Sequence, residues 1–283
     1  MMVCTLKFNT LSGQSTIENF ELIPPATSLD HASQRLPGGA YTTLRTYRHD
    51  QILGFDDQIN RLVDSTRSQG MDFNLDENKL REVLRILVDR FPVAQDVRVR
   101  ITLDTEQQPG MIYFSGEPLR VPSQEAYELG VAVVICDLRR QSPEAKLTSF
   151  IAPASQMRQA LPPGIEEALM VDSNGYILEG LSSNFFAVEG NQLFTAEKGI
   201  LAGITRKLVL EVVLQAGIEV NLQPVQLSQT RSIQEAFITS ASRGILPVRS
   251  IDGWMIGDGF PGKITLNLSA ELDCQIRSKL VPI

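Results

Sequence analysis

The sequence predicts a mixed α/β chain folded as two domains, and three observations carry that expectation. Its 283 residues, 43% hydrophobic and 21% charged, hold enough apolar side chain for two modest cores. Segments with the two-residue period of strands alternate with segments of helical period. A proline-broken stretch, "GEPLRVPSQEAYELG" (116–130), interrupts both periods through Pro118 and Pro122. It sets the boundary near residue 121, giving domains 1–120 and 121–283.

In the first domain, "GGAYTTLRTY" (38–47) and "VRVRITL" (97–103) are rich in β-branched residues and alternate as half-buried strands do. Between them, "FDDQINRLVDSTRSQG" places Ile59, Leu62, Val63 and Thr66 on one helical face and stops at Gly70. "ENKLREVLRILVDRF" repeats the pattern, so two helices pack on the sheet. After the break, "VAVVICDL" resumes as a strand. "EEALMVDSNGYILEG" holds an Asn-Gly turn between β-rich arms, and "NFFAVEGNQLFTA" is a second hairpin, turning at Glu189 to Asn191. A helix follows in "TRKLVLEVVLQAG", with Val209, Val212, Val213 and Ala216 on one face and Gly217 as its stop.

Composition excludes several function classes. A formal charge of −7 and a pI near 5.0 are wrong for a surface that tracks nucleic-acid phosphates. Cys4, Cys136 and Cys274 are widely spaced and form no CxxC pair, so neither a disulfide framework nor a zinc site is implied, and a reducing cytoplasm is expected. The opening "MMVCTLKFNTLSGQ" lacks the charged-then-apolar order of an export signal, and no window is apolar enough to span a membrane. His31 and His49 have no neighbours at ligand spacing, so no metal is expected. "GDGFPGK" (257–263) satisfies GxGxxG and almost a P-loop. However, Ile264 stands where magnesium needs a hydroxyl, Pro261 removes an amide, and too little chain follows for a βαβ unit. It reads as a turn. The sequon at Asn267 has no meaning without secretion.

The stretch "EGLSSNFFAVEGNQLFTAEKGILAGITRK" (179–207) holds the chemistry. Glu179 alone reads as a solvated acid and Lys146 alone as a surface ammonium. The run from Glu179 through Asn184, Phe185 and Phe186, over a hairpin to Leu193 and Thr195 and into "LAGITR", resembles the signature of the class IV aminotransferases, the fold-type IV pyridoxal-phosphate enzymes. The resemblance extends from "GGAYTTLRTY" to "RSIDG" (249–253). It implies the fold-type IV architecture: a small N-terminal α/β domain and a larger C-terminal pseudo-barrel domain of mixed sheet. It also implies pyridoxal 5'-phosphate as cofactor, an amino acid and a 2-oxo acid as substrates, and a homodimer.

By that resemblance Lys146, 33 residues before Glu179, is the catalytic, cofactor-carrying lysine, on a strand followed by a short turn. An amine joins an aldehyde only after losing its proton, which burial beside other cations favours, and the freed amine can then move a proton to and from substrate. Glu179 takes the place of the carboxylate beside the ring nitrogen. The helix start at Ile204 and Thr205 suits a phosphate through its amides. Arg61 matches the family's phosphate-binding arginine, and Ser240 or Ser242 offers a hydroxyl to the same group. Tyr41, Arg45 and Arg100 are the candidate substrate residues, their plain alternative being strand residues facing solvent.

The sequence departs from the family's usual pattern at several positions. Tyr41-Thr42-Thr43 replaces an aromatic-Glu pair, Gln58 replaces a common histidine, and Phe150 stands where branched-chain enzymes have a tyrosine. Leu103 stands where D-amino-acid transaminases hold an arginine. The resemblance therefore implies an aminotransferase favouring branched-chain-like L-amino acids. The alternative is an aminodeoxychorismate lyase, which releases pyruvate to give 4-aminobenzoate and with which the Thr42-Thr43 pair agrees. An inert scaffold would have no use for both Lys146 and Glu179.

Overall fold

The computed structural model describes residues 3–9, 17–20 and 25–283. Much of the 1–14 stretch, from which the absence of an export signal was expected, lies outside the described residues. Tertiary contacts gather into two compact units, one made of Met1–Arg120, Ala145–Pro153 and Lys279–Ile283, the other of Val121–Glu144 and Ala154–Ser278.

The first unit contains β1 (Cys4–Asn9), β2 (Ile17–Phe20), α1 (Leu29–Ser33), β3 (Gly39–Tyr47), β4 (Gln51–Leu53), α2 (Phe55–Arg67), α3 (Glu77–Val88), β5 (Val97–Asp104) and β6 (Met111–Pro118). With β16 (Leu280–Pro282) they form a seven-stranded sheet in the order β16-β4-β3-β5-β6-β1-β2, every pairing antiparallel. Strand alternation sorts its faces. Ala40, Leu44, Val99, Ile101, Leu103, Ile112 and Phe114 join Ile59 and Leu62 of α2 and Leu80 and Leu84 of α3 in one core. Each fully buried Leu, Ile or Phe there contributes about 1.5–3 kcal/mol. Tyr41 and Arg100 lie on the other face, and Arg100 bonds to α1. The helical faces read from sequence are the buried ones, including Ile59, Leu62, Val63 and Thr66. Gly54, in the left-handed region at φ 55°, starts α2 without a side-chain cap, whereas Asp76 caps α3 through the amides of Asn78 and Lys79.

The second unit contains α4 (Gln124–Leu129), β7 (Val131–Cys136), most of α5 (Ile151–Gln159), β8 (Ile165–Val171), β9 (Ile177–Gly180), β10 (Asn184–Glu189), β11 (Gln192–Phe194), α6 (Ile204–Gln215), β12 (Glu219–Asn221), β13 (Glu235–Ser240), β14 (Gly244–Ile251), β15 (Trp254–Met255) and α7 (Lys263–Lys279). The strand order is β12-β11-β10-β13-β14-β7-β8-β9, with β15 on the side of β14. Because β9 returns to pair with β10 at Glu179 and Asn184, the sheet closes on itself. The β14-β7, β7-β8 and β11-β12 pairings are parallel and the others antiparallel. This is the mixed, barrel-like sheet expected of the larger domain.

Some local expectations need correction. The 116–130 segment is not wholly irregular: β6 runs to Pro118, and α4 starts where the Ser123 hydroxyl accepts the Ala126 amide. Lys146 is not on a strand. Only Leu147 makes an isolated bridge, to Ala40, before a 3₁₀ turn at Thr148–Phe150. Ala216, at the frayed end of α6, is exposed, while Val209, Val212 and Val213 are buried. The "GDGFPGK" segment is a turn leading into α7.

Candidate active site

The closure of the second sheet places a carboxylate inside the protein. Glu179, 2% exposed, ends β9 opposite Asn184. Its Oε1 lies 2.8 Å from Arg140 Nε in an ion pair whose two side chains are both buried. Its Oε2 accepts the Leu201 amide (3.1 Å) and Asn184 Nδ2 (3.3 Å). Asn184 Nδ2 also donates to the Leu201 carbonyl (2.8 Å), and Arg140 Nη2 donates to the Leu181 carbonyl. A buried carboxylate with a cation and two N–H donors stays ionised and fixed in direction.

Three residues beyond Leu201 the chain enters α6. A Cβ on Gly203 would fall 2.2 Å from Asn184 Oδ1, so only glycine lets the helix start lie against the asparagine. No side chain caps α6, which leaves the amides of Ile204 and Thr205 directed outward at the positive end of the helix. Arg206 follows, donating to the Ala196 carbonyl (2.8 Å). Burial lowers its pKa, against the opposing charges of Glu197 and Glu179.

Ser240 ends β13, and Ser242 lies in the turn to β14. Arg243 closes that turn: Nε donates to Ser240 Oγ (3.1 Å), and Nη2 donates to Glu167 Oε2 (2.9 Å) and Ser182 Oγ (2.9 Å). Burial alone would push the Glu167 carboxyl up. The charge and hydrogen bond of Arg243, with Arg158 and Ser182, outweigh it and hold that carboxyl below the ordinary value. The sequence reading left Ser240 and Ser242 as alternatives; the structure shows the first engaged by an arginine whose charge a buried glutamate already balances.

In the first unit, Lys146 is fixed by its backbone. Its amide donates to Ser65 Oγ (3.1 Å), its carbonyl accepts from Tyr41 (2.8 Å), and its Nζ lies 4.9 Å from the Tyr41 ring centroid. Ser65 in turn donates to the Arg61 carbonyl (2.8 Å), so one hydroxyl links α2 to the lysine segment. Arg61 Nη2 donates to Thr42 Oγ1 and to Gln58 Oε1, each at 3.0 Å, and Thr42 Oγ1 donates to Gln58 Oε1 (2.5 Å). Thr42 is 0% and Gln58 3% exposed. Burial lowers the Arg61 pKa to about 10, with Tyr41 and Asp57 opposing the shift.

Two of the three proposed substrate residues have other contacts. Arg100, 4% exposed, donates to the Leu29 carbonyl, Ser33 Oγ and Asp30 Oδ1 of α1, and its guanidinium lies 4.9 Å from the Tyr41 ring. Arg45 pairs with Asp96 (3.0 Å) and stacks on Tyr47 (4.4 Å), roughly 13 Å along β3 from Tyr41 at the strand rise. Tyr41 stays beside Lys146. Phe150 and Leu103 are buried. Sequence reasoning missed Arg140, Ser65 and the Glu167–Arg243 pair. Arg140 sits in "DLRRQSPEAK", which has no periodicity to mark it; the available signal was that a buried Glu179 requires a cation.

Within the second unit a buried, paired carboxylate lies near outward helix amides, and within the first a buried guanidinium and a lysine against an aromatic ring are positioned by hydrogen bonds. Among the described residues no group of three His, Cys, Asp or Glu gathers as metal ligands, and no helix is long and apolar enough to cross a membrane. Comparison with known proteins agrees with this chemistry. The chain is 26% identical over 266 residues to a D-alanine aminotransferase of Bacillus licheniformis, covering 90% of this chain and 93% of that protein. It is 29% identical over 250 residues to a "probable branched-chain-amino-acid aminotransferase" of Thermotoga maritima, covering 85% and 88%. A crystal structure of a Thermotoga maritima protein assigned as a branched-chain amino acid aminotransferase superposes with a TM-score of 0.77 at 26% identity, over 96% of each chain. The sequence profile of amino-transferase class IV matches residues 39–251. The chain therefore belongs to the class IV aminotransferases, pyridoxal-phosphate enzymes that transfer an amino group between an amino acid and a 2-oxo acid.

Proposed function

We propose that this enzyme transfers amino groups from branched-chain L-amino acids to a 2-oxo acid, with Lys146 as its catalytic residue and Glu179 directing the cofactor. The observation that carries the reading is Glu179, buried and held ionised by Arg140 beside an uncapped helix start that only glycine at 203 allows. When bound, pyridoxal phosphate supplies an electron sink for the substrate's α-carbon.

The chain's own residues supply the rest. With the cofactor bound, Glu179, paired with Arg140, would be the carboxylate that faces its ring nitrogen and favours the protonated ring. Ile204 and Thr205 amides, Arg61 and a hydroxyl of Ser240 or Ser242 receive the phosphate. Lys146 would hold the cofactor through Nζ and would carry the proton to and from the substrate α-carbon, with the Tyr41 ring beside Nζ orienting it. Tyr41 remains the preferred substrate residue. Arg45 and Arg100 would serve only by giving up the partners described above, so we assign them to substrate through reorganisation or from a second copy of the chain.

Selectivity for the L series rests on Leu103, which is fully buried among core side chains and offers no charge to a substrate carboxylate. The relatives named as branched-chain enzymes support it, and the D-alanine aminotransferase is the competing precedent. The lyase reading drew on Thr42, whose hydroxyl is fully buried and bonded to Gln58 and Arg61. That reading is not favoured. A homodimer in the cytoplasm, with domains 1–120 and 121–283, completes the proposal; a fully active monomer in sedimentation would overturn the dimer.

The test follows the visible absorption of the protein-bound cofactor as single amino acids are added. L-leucine, L-isoleucine or L-valine should discharge the band, and a 2-oxo acid should restore it. Discharge by D-alanine alone would reverse the stereochemical assignment. Pyruvate released from aminodeoxychorismate, with no amino acid effective, would make the protein a lyase.

A further inference from the structure

We propose that Arg100 is a positioning residue for Lys146 and acts through Tyr41: held by α1, its guanidinium fixes the aromatic ring against which the lysine amine lies. The inference rests on Lys146 being the catalytic lysine. It goes beyond that reading, in which Arg100 reaches substrate only by giving up its partners, because here it acts with those partners in place.

Strand register brings the three groups together inside the first unit. In the pairing of β3 with β5, Tyr41 stands opposite Thr102 and Thr43 opposite Arg100, so Tyr41 and Arg100 are diagonal neighbours on one face of the sheet. Since β5 takes one edge of β3, the bridge from Leu147 to Ala40 uses the other edge, where the Tyr41 amide donates to the Lys146 carbonyl (2.8 Å). Tyr41, 7% exposed, is thus flanked: Arg100 Cζ and Lys146 Nζ each lie 4.9 Å from its ring centroid. Both distances are within the range at which an aromatic face holds a cation. The Tyr41 phenol also acts on the charge of Arg61. Arg100 supplies the rigidity. Its Nη1 donates to the Leu29 carbonyl (3.1 Å) and Ser33 Oγ (2.9 Å) and its Nη2 to Asp30 Oδ1 (2.9 Å), so both arms of the planar fork are fixed on α1. That helix is itself tied to the sheet, since Glu117 of β6 accepts the Leu29 amide (3.0 Å). Because Asp30 pairs with Arg100, the guanidinium gives the ring a fixed surface to lie on, not a bare charge. A lysine is a point charge on a flexible stem, and a ring that cannot turn gives it one direction.

The experiment reads the protonation of Lys146 itself. The full chain without cofactor is trace-labelled with acetic anhydride across a pH series, and mass spectrometry gives the midpoint at which Lys146 becomes reactive, for the parent and for Tyr41→Leu, Tyr41→Phe, Arg100→Met and Arg100→Lys. Thermal melting checks that each variant folds. An aromatic face favours the ammonium form, so Tyr41→Leu should lower the midpoint by about half a pH unit or more, and Tyr41→Phe, which keeps the ring, should leave it near the parent value. Arg100→Met, which frees the ring, should lower it in the same direction, and in combination with Tyr41→Leu should add nothing. Loss of a merely repulsive cation would raise the midpoint instead. Arg100→Lys keeps the charge without the fork and should lower the midpoint too; it carries the comparison alone if Arg100→Met does not fold. A midpoint unchanged in Tyr41→Leu, or unchanged or raised in the Arg100 variants, would overturn the proposal. So would a rise in KM in Arg100→Met with the midpoint unmoved, which would make Arg100 a substrate ligand. Borohydride trapping of the cofactor-loaded protein is read separately: a label on another lysine fails the catalytic assignment, whereas a label on Lys146 with an unmoved midpoint fails the positioning role alone.

Discussion

Two arginines, one in each unit, are placed in opposite ways. Arg243 sits in the turn after β13 with its charge balanced by buried Glu167 and by Glu166 at 3.5 Å, and it also bonds to Ser182 and Ser240. Arg61 sits on α2, where its Nη2 donates to two uncharged oxygens and the Asp57 carboxylate of the same helix acts on its charge. The first arrangement uses a cation as a structural clamp. The second directs a guanidinium nitrogen with neutral side-chain oxygens. A buried arginine therefore does not mark a ligand site by its burial; the chemistry of its acceptors distinguishes the two cases.

Truncating each arginine should break the comparison open, with the largest effect at the clamp. Arg243→Met leaves Glu167 buried without its hydrogen-bonded cation and should cost about 3–5 kcal/mol in chemical denaturation. Arg61→Met in the cofactor-free protein removes hydrogen bonds to two neutral, buried oxygens and should cost less, about 1–3 kcal/mol. Similar losses for both would refute the distinction.

Acid separates them further. The Glu167 carboxyl lies below its unfolded value, so its contribution is full above the ordinary carboxylate range and is lost as pH falls through the folded value. In Arg243→Met, burial would instead raise that carboxyl, and lowering pH from neutral toward 5 should then stabilise the protein. The Arg61 guanidinium has its pKa lowered to about 10, so the cost of burying its charge is present throughout the range below that value and bears equally on both ends of an acid titration. A parent-like acid profile in Arg243→Met would place the origin of the shift elsewhere.

The phosphate assignment of Arg61 should show in cofactor binding. Cofactor at a hundredfold excess over its dissociation constant should stabilise the parent by about 2.7 kcal/mol. In Arg61→Met, the same cofactor concentration should give a markedly smaller gain. Smallest of all are the two hydroxyls. Ser240→Ala or Ser242→Ala should weaken the cofactor by about 0.5–1.5 kcal/mol, a single hydrogen bond. Whichever serine shows that loss with pyridoxal phosphate and not with pyridoxal is the phosphate ligand. Ser240, already accepting from Arg243, has its own proton to offer outward.

The sequence made the pattern of the fold readable where periodicity was strong. The buried stripe of α2, the two strands around it and the hairpin at Glu189 to Asn191 follow directly from two-residue and helical repeats. Closure of the second sheet did not follow, because the pairing of Glu179 with Asn184 depends on how β9 returns to β10, a contact with no local signature. At the site, Glu179 and the helix start at Ile204 and Thr205 were singled out only through the resemblance to the family, since Glu179 alone reads as a solvated acid. Arg140 and Glu167 were not, since a partner brought in by the tertiary fold leaves no spacing to read. Gln58 and Thr42 were visible only as departures from a pattern; their hydrogen bonds to Arg61 give them a role.

The most direct test of the account is reductive trapping. Borohydride added to the protein loaded with pyridoxal phosphate, followed by proteolysis and mass spectrometry, locates the lysine that carries the cofactor. The label is expected on the peptide containing Lys146, and Lys146→Ala should carry none. A label on any other lysine, or activity surviving in Lys146→Ala, would contradict the assignment on which the mechanism stands.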